Sequence, residues 1–175
     1  PYQTALFCAE QPHVEGWIRD IWQPGSVTGT MDFLDALNQR IATEISYIVR
    51  DEPGVQSPAR TVSRGKGSCR DVATLFIEAC RSCGLASRFV SGYLVSSAAV
   101  EDLATTHAWA EVYLPGTGWR GFDSTGGQLV GEEAVQIHGG MGVTWDLDVA
   151  HYFKRLTAIG QLFGNADWHL DKLAA

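Results

Sequence analysis

An α+β domain is what this sequence predicts, and three observations carry that expectation. Leu34, Leu37, Ile41, Ile45 and Ile48 recur at helical spacing and form one apolar stripe. Residues 106–114 alternate instead, with His107, Trp109, Glu111 and Tyr113 on one face and Ala108, Ala110, Val112 and Leu114 on the other. Helical patterns fill the first half and an antiparallel pair the second, which is the order of an α+β fold rather than of a parallel α/β sheet.

The elements follow in order. Pro12 suits the first turn of a short helix carrying Trp17, Ile18 and Ile21, and Pro24-Gly25 ends it. The long striped helix runs through Ile48. Pro53, Gly54, Pro58, Gly65 and Gly67 then predict a loop over 50–67. Ser68 is a good N-cap for the next helix, whose core face reads Val72, Leu75, Phe76 and Ala79 and which Gly84 stops. Residues 86–95 read as a strand, and 96–105 as a polar loop. The strand at 106–114 leads into a Pro-Gly-Thr-Gly turn at 115–118 and a return strand at 119–123. Further helices are expected at 145–163 and 166–173.

Composition narrows the function. The chain has 175 residues, 45% hydrophobic and 19% charged, which fits a folded domain with an appendage. Its net charge of −7 and lack of a basic run argue against nucleic acid and an anionic membrane surface. No apolar stretch approaches the roughly 20 residues of a spanning helix. No secretory signal pattern opens the chain, and its start at Pro1 suggests a fragment. The four cysteines, Cys8, Cys69, Cys80 and Cys83, are too few to staple the domain, so reduced thiols and a cytoplasmic setting are expected. Cys80 and Cys83 form a lone CxxC late in a helix and read as structural. The histidines show no metal-ligand spacing, so no metal and no cofactor are expected.

One constellation could carry chemistry. Cys69 falls in the first turn of a helix, after Gly65-Lys66-Gly67-Ser68. Unpaired first-turn amides and the positive helix end stabilise a thiolate there, and could hold an oxyanion. By position alone, a nucleophile and a buried core cysteine are equal readings. His107 begins a strand and Asp123 ends its partner, at the same end of one hairpin. A general base with an orienting carboxylate needs that arrangement. Register is the difficulty. A symmetric turn at 115–118 sets Asp123 opposite Ala110, three residues from direct opposition to His107, or about 10 Å along a strand. A bulge or asymmetric loop is then required.

Gly67-Ser68-Cys69-Arg70-Asp71, the stretch 76–93 ending Val90-Ser91-Gly92-Tyr93, Thr106-His107-Ala108-Trp109 with Glu111 and Tyr113, and Gly118-Trp119-Arg120-Gly121-Phe122-Asp123 resemble the bacterial transglutaminase-like family. The resemblance covers about residues 1–132. It implies a papain-like core of helices packed on an antiparallel sheet. It also implies Cys69 as nucleophile, His107 as general base and acid, and Asp123 as the residue orienting His107. Members cleave or transfer acyl groups at amide bonds through a thioester, so a peptide or protein substrate is implied. Tyr93 and Trp109 are candidates to line the substrate cleft. Ser124 and Val72 depart from the family's usual residues without touching the chemistry.

A second resemblance begins at Ala134. Gln136-Ile137-His138-Gly139-Gly140, His151-Tyr152-Phe153-Lys154-Arg155 and Leu162-Phe163-Gly164-Asn165 with Trp168 and His169 look like the C-terminal end of an acyl-CoA dehydrogenase. The expected organisation is therefore a transglutaminase-like core at 1–132 and a helical tail at 133–175, joined near 130–134. The tail is too short to enclose a flavin, is expected to dock poorly, and would leave a sheet edge uncovered. Two alternatives to an active cysteine amidase, peptidase or acyl transferase are open. One is an inactive, truncated binding module, and the other a flavin-linked fragment. The substrate, the acyl acceptor and the oligomeric state are not legible.

Overall fold

The computed structural model describes residues 2–25, 29–94, 105–130 and 134–136. After a 3-10 turn at Cys8–Glu10 come α1 (Gln11–Trp17), α2 (Thr30–Glu44), β1 (Ser46–Tyr47), α3 (Pro58–Arg64), β2 (Lys66–Gly67) and α4 (Cys69–Ser82). The strands β3 (Ser87–Leu94), β4 (Thr105–Leu114), β5 (Gly118–Asp123), β6 (Gln128–Leu129) and β7 (Ala134–Gln136) follow. The chain forms two compact units, Pro1–Val90 with His107–Glu132, and Ser91–Thr106 with Glu133–Ala175.

In the first unit the sheet runs in the order β6-β5-β4-β3. Its inward residues Ala110, Val112 and Phe122 meet Leu34, Leu37 and Ile41 of α2 and Leu75, Phe76 and Ala79 of α4 in one core. Phe76 and Phe122 are fully buried and stack with ring centroids 5.2 Å apart, joining α4 to the sheet. Every residue from Asp71 to Cys80 is buried, so α4 is central and not merely one-sided. Its remaining face is covered by the N-terminal segment. The Glu78 carboxylate accepts from the backbone N–H groups of Leu6 and Phe7 at 2.9 and 3.0 Å and pairs with Arg81 at 3.0 Å. In the second unit Gly92–Leu94 of β3 pair antiparallel with Ala134–Gln136 of β7.

Three expectations change. The α2 stripe does not reach Ile48, because Ile45 turns extended and Ser46–Tyr47 pair in parallel with Lys66–Gly67. The region 50–67 is not all loop. Ser57 caps α3 by accepting from the Arg60 N–H, Pro58 occupies its first turn, and Gly65 closes it in the left-handed region at φ 60. The tail was expected to be helical and to leave a sheet edge uncovered, but Ala134–Gln136 is a strand that pairs with the adjoining edge of β3. The expected polar loop, the join at 131–133 and the helices at 145–163 and 166–173 lie outside the described residues.

Replacing Phe76 with alanine removes one partner of the stack that joins the two layers. A loss of about 3–5 kcal/mol in urea-unfolding stability is expected, and a loss below about 1 kcal/mol would show that this contact does not hold the layers together.

Candidate active site

The position of Cys69 is fixed by a buried carboxylate one residue pair further along its helix. Asp71 is 0% exposed and stands at the third position of α4. One of its oxygens accepts the Ser68 backbone N–H and the Ser68 hydroxyl, both at 2.8 Å. The other accepts the Gln56 backbone N–H at 2.7 Å, and Arg50 donates to both oxygens at 2.7 and 2.8 Å. Burial pushes the Asp71 carboxyl up, but the bonds from Gln56, Ser68 and Arg50 outweigh it and hold it at about 2. Ser68 and Asp71 thus form the carboxylate half of a capping box that ends β2 and starts α4 at Cys69. Gly67 is required in this corner, because a Cβ there would come within 2.9 Å of the Asp71 Cβ.

β4 and β5 supply the other two groups. Leu114 pairs with Gly118 around a three-residue loop, Pro115-Gly116-Thr117, in which Gly116 adopts φ 87; Gly118 follows at φ 79. The register then runs through Ala110 opposite Phe122. Continued by one step, it sets Asp123 opposite Trp109, with His107 two residues further along the same face. The two are diagonal neighbours, close enough for their side chains to meet. The His107 Nε2 and Asp123 Oδ2 lie 2.8 Å apart. The expected need for direct opposition was therefore wrong. A loop one residue shorter than assumed, together with diagonal reach, replaces the bulge. The second Asp123 oxygen accepts the Thr125 backbone N–H at 2.9 Å, which holds the carboxylate in place.

Cys69 reaches the same imidazole. Burial alone would push the His107 ring down. The hydrogen bond to Asp123, a hydrogen bond with the Cys69 side chain and the charges of both outweigh it, raising His107 to about 9. Burial likewise pushes the Asp123 carboxyl up, and its bond to His107 brings it below the usual carboxylate range. His107 and Asp123 thus meet, both mostly enclosed, while Cys69, partly exposed, acts on the same ring.

Trp109 is only 2% exposed and offers no open wall to a substrate. Its ring instead lies beside that of His107, with centroids 6.5 Å apart and planes at 26°. The Tyr93 side chain lies outside the described residues. Sequence reasoning missed three residues of the site. The Ser68-x-x-Asp71 spacing carried a signal for Asp71, being that of a capping box. Arg50 and Gln56 carried none, since their loop is placed by the carboxylate it binds. Among the described residues no group of histidine, cysteine and acidic side chains could hold a metal ion.

A thiol at a helix tip facing an imidazole and a carboxylate on an antiparallel sheet makes this an α+β, papain-like core. The model of the transglutaminase-like superfamily matches residues 20–124, and the chain belongs to that superfamily. Among solved structures it is similar to a candidate cysteine protease from Cytophaga hutchinsonii (TM-score 0.59, 24% identity, 78% of this chain and 43% of that one). It is also similar to the periplasmic domain of TgpA from Pseudomonas aeruginosa (TM-score 0.52, 23% identity, 67% and 45% covered). An uncharacterised protein of Mycobacterium tuberculosis, Rv2569c, is 32% identical over 124 residues, which are 61% of this chain and 37% of that protein. A shorter match, 45% identical over 56 residues, links 32% of this chain to 18% of the acyl-CoA dehydrogenase IpdE2 of Mycolicibacterium smegmatis. No helix among the described residues is long and apolar enough to cross a membrane.

The sign of the pH effect on stability follows from these shifts. His107 is raised in the folded chain, so the stability it contributes is complete below about pH 6.5 and is lost as pH rises through about 9. Urea midpoints of the chain and of His107→Gln should therefore converge between about pH 6 and 10. A gap that widened over that interval would contradict the ion-paired imidazole. Asp71 acts at the other end, its contribution being lost only as pH falls from about 4 through about 2.

Proposed function

We propose that the chain is a cysteine amidase, peptidase or acyl transferase acting on peptide or carboxamide substrates through a Cys69 thioester. The observation that carries this reading is the 2.8 Å contact between His107 Nε2 and Asp123 Oδ2, with the Cys69 side chain acting on the same ring to raise it. With Nε2 held by the carboxylate, Nδ1 is the nitrogen left for the sulfur. A proton moved from thiol to imidazole leaves a thiolate–imidazolium pair, and the Asp123 charge favours that state.

The thiolate attacks the carboxamide carbon, and the carbonyl π electrons move to oxygen. That oxygen faces the Cys69 backbone N–H, which at the start of a helix has no partner within it. His107 gives its proton to the departing nitrogen as the C–N bond breaks, leaving a thioester. Water or an amine, losing a proton to His107, then attacks the thioester and releases Cys69. Trp109 steadies the imidazole from the side. The family match supports a cysteine-based enzyme, and the choice between hydrolysis and crosslinking depends on which acceptor reaches the thioester.

A peptide or protein substrate and a cytoplasmic, reducing setting belong to this reading, although the TgpA domain of similar fold is periplasmic. So does the likeness of 134–175 to an acyl-CoA dehydrogenase C-terminus, which the short IpdE2 match supports in part. We assign that segment no flavin, and flavin absorbance in purified protein would reverse the assignment.

Iodoacetamide should label Cys69 far faster than Cys8, Cys80 or Cys83 near neutral pH, since burial pushes Cys80 well up and Cys83 up to about 12. His107→Ala should slow amide turnover at least about a hundredfold. Mass spectrometry of a slow amide or ester substrate should find the acyl group on Cys69. Equal, slow labelling of all four thiols would remove the enzyme reading.

A further inference from the structure

The start of α4 holds an arrangement that simple thiolate activation does not require. A helix N-terminus favours an anion, and Cys69 stands where its thiolate would benefit. Yet a second anion already occupies that place. Asp71, two residues on in the same turn, is buried and takes the Ser68 and Gln56 donors for itself. Its charge opposes formation of another anion beside it. The guanidinium of Arg50 returns the missing positive charge, bonding both carboxylate oxygens at 2.7 and 2.8 Å.

Resting on the reading of Cys69 and His107 as nucleophile and base, we propose that the Asp71–Arg50 ion pair is a positioning element. It sets the pH at which Cys69 becomes nucleophilic, as well as holding the cysteine at the helix tip. Among the described residues the other charged and titratable groups around this corner include Arg64, which donates to the Gln56 side chain at 3.0 Å. His107 on β4 has Asp123 behind it, and Tyr47 on β1 lies opposite Gly67. Glu52 is an exposed partner of Arg50 at 3.5 Å. Arg70 donates to the carbonyls of Arg50 and Glu52, both at 3.1 Å. Burial and the Cys69 charge raise the Tyr47 phenol. Glu52 and Arg70 are present in both variants. Asp71 and Arg50 can therefore be tested against a fixed background.

The test is the rate of iodoacetamide alkylation at Cys69, read by mass spectrometry on the full chain from about pH 3 to 9. Asp71→Asn removes the anion and leaves Arg50 unpaired, so the pH of half-maximal rate should fall by about 0.5–1 unit. Arg50→Gln leaves the anion unpaired, so that pH should rise by a similar amount. Loss of packing alone would lower the rate at every pH without moving the midpoint. Unmoved midpoints in both variants would overturn the proposal. If thermal melting shows that Asp71→Asn does not fold, Arg50→Gln decides alone, because it leaves the Ser68 and Gln56 bonds to Asp71 in place. A rise supports the proposal, and no rise or a fall overturns it. Failure of the enzyme reading looks different: in the unmodified chain, Cys69 would react no faster than the other three cysteines.

Discussion

The buried carboxylate of Asp71 is the constraint from which the site is built. An ionised group without solvent is costly unless its lone pairs are used, and here they are used by donors from two other parts of the chain. Arg50 and Gln56 bring in the segment after β1, Ser68 ends β2, and Asp71 itself belongs to α4. Each donor satisfies the carboxylate and is itself fixed in return. The loop between β1 and α3 has little apolar material of its own, so this network, with Arg70 bonding the carbonyls of Arg50 and Glu52, stands in for a local core. Cys69 is the residue between these anchors, and its place at the helix tip follows from them.

The second half of the site depends on backbone shape rather than charge. Gly121 faces Val130, and a Cβ on it would lie 2.7 Å from the Val130 Cβ and 3.4 Å from the Trp109 Nε1. A side chain at 121 would collide with Val130, while the indole that flanks His107 would be in ordinary contact with it. The His107 ring is held by a carboxylate at one nitrogen and an aromatic wall at its side. The carboxylate comes from β5, whose register is set by the Pro115-Gly116-Thr117 loop. Chemistry at His107 is thus coupled to turn geometry at the far end of the hairpin.

Much of this was legible in the sequence, and what was not has physical causes. Ser68 as a cap, α4 behind it, and the alternation of β4 follow from local chemistry that a single chain displays. Cys69, His107 and Asp123 could be singled out because each sits at an element end, where side chains can converge. By contrast, β1 and β2 are two residues each and exist only through their pairing, so no periodicity can announce them. α3 did carry its Ser57-Pro58 start and Gly65 stop, but the surrounding prolines and glycines concealed it. Register was out of reach because one residue of loop length decides it, and because diagonal reach across the sheet makes direct opposition unnecessary. Trp109 shows the limit of facial arguments: alternation placed it on the face of His107, but not whether that position was open or covered.

These two halves meet in the question of what favours the thiolate. The helix tip is the first answer that a sequence suggests, yet Asp71 already accepts donors at that tip, and its pairing with Arg50 leaves little net charge there. Under the proposed mechanism the charge that acts on the sulfur is the imidazolium of His107, which is favoured because burial is outweighed by Asp123 and Cys69 together. Under that mechanism, activation falls to the thiol–imidazole–carboxylate set, while the helix end supplies position and an oxyanion donor. In this division of labour, moving the carboxylate of Asp123 changes the proton's location, whereas changing Asp71 or Arg50 changes the field in which it moves. One act on which atom holds the proton and the other on the pH at which it leaves, which is why a pH profile separates them where a single rate cannot.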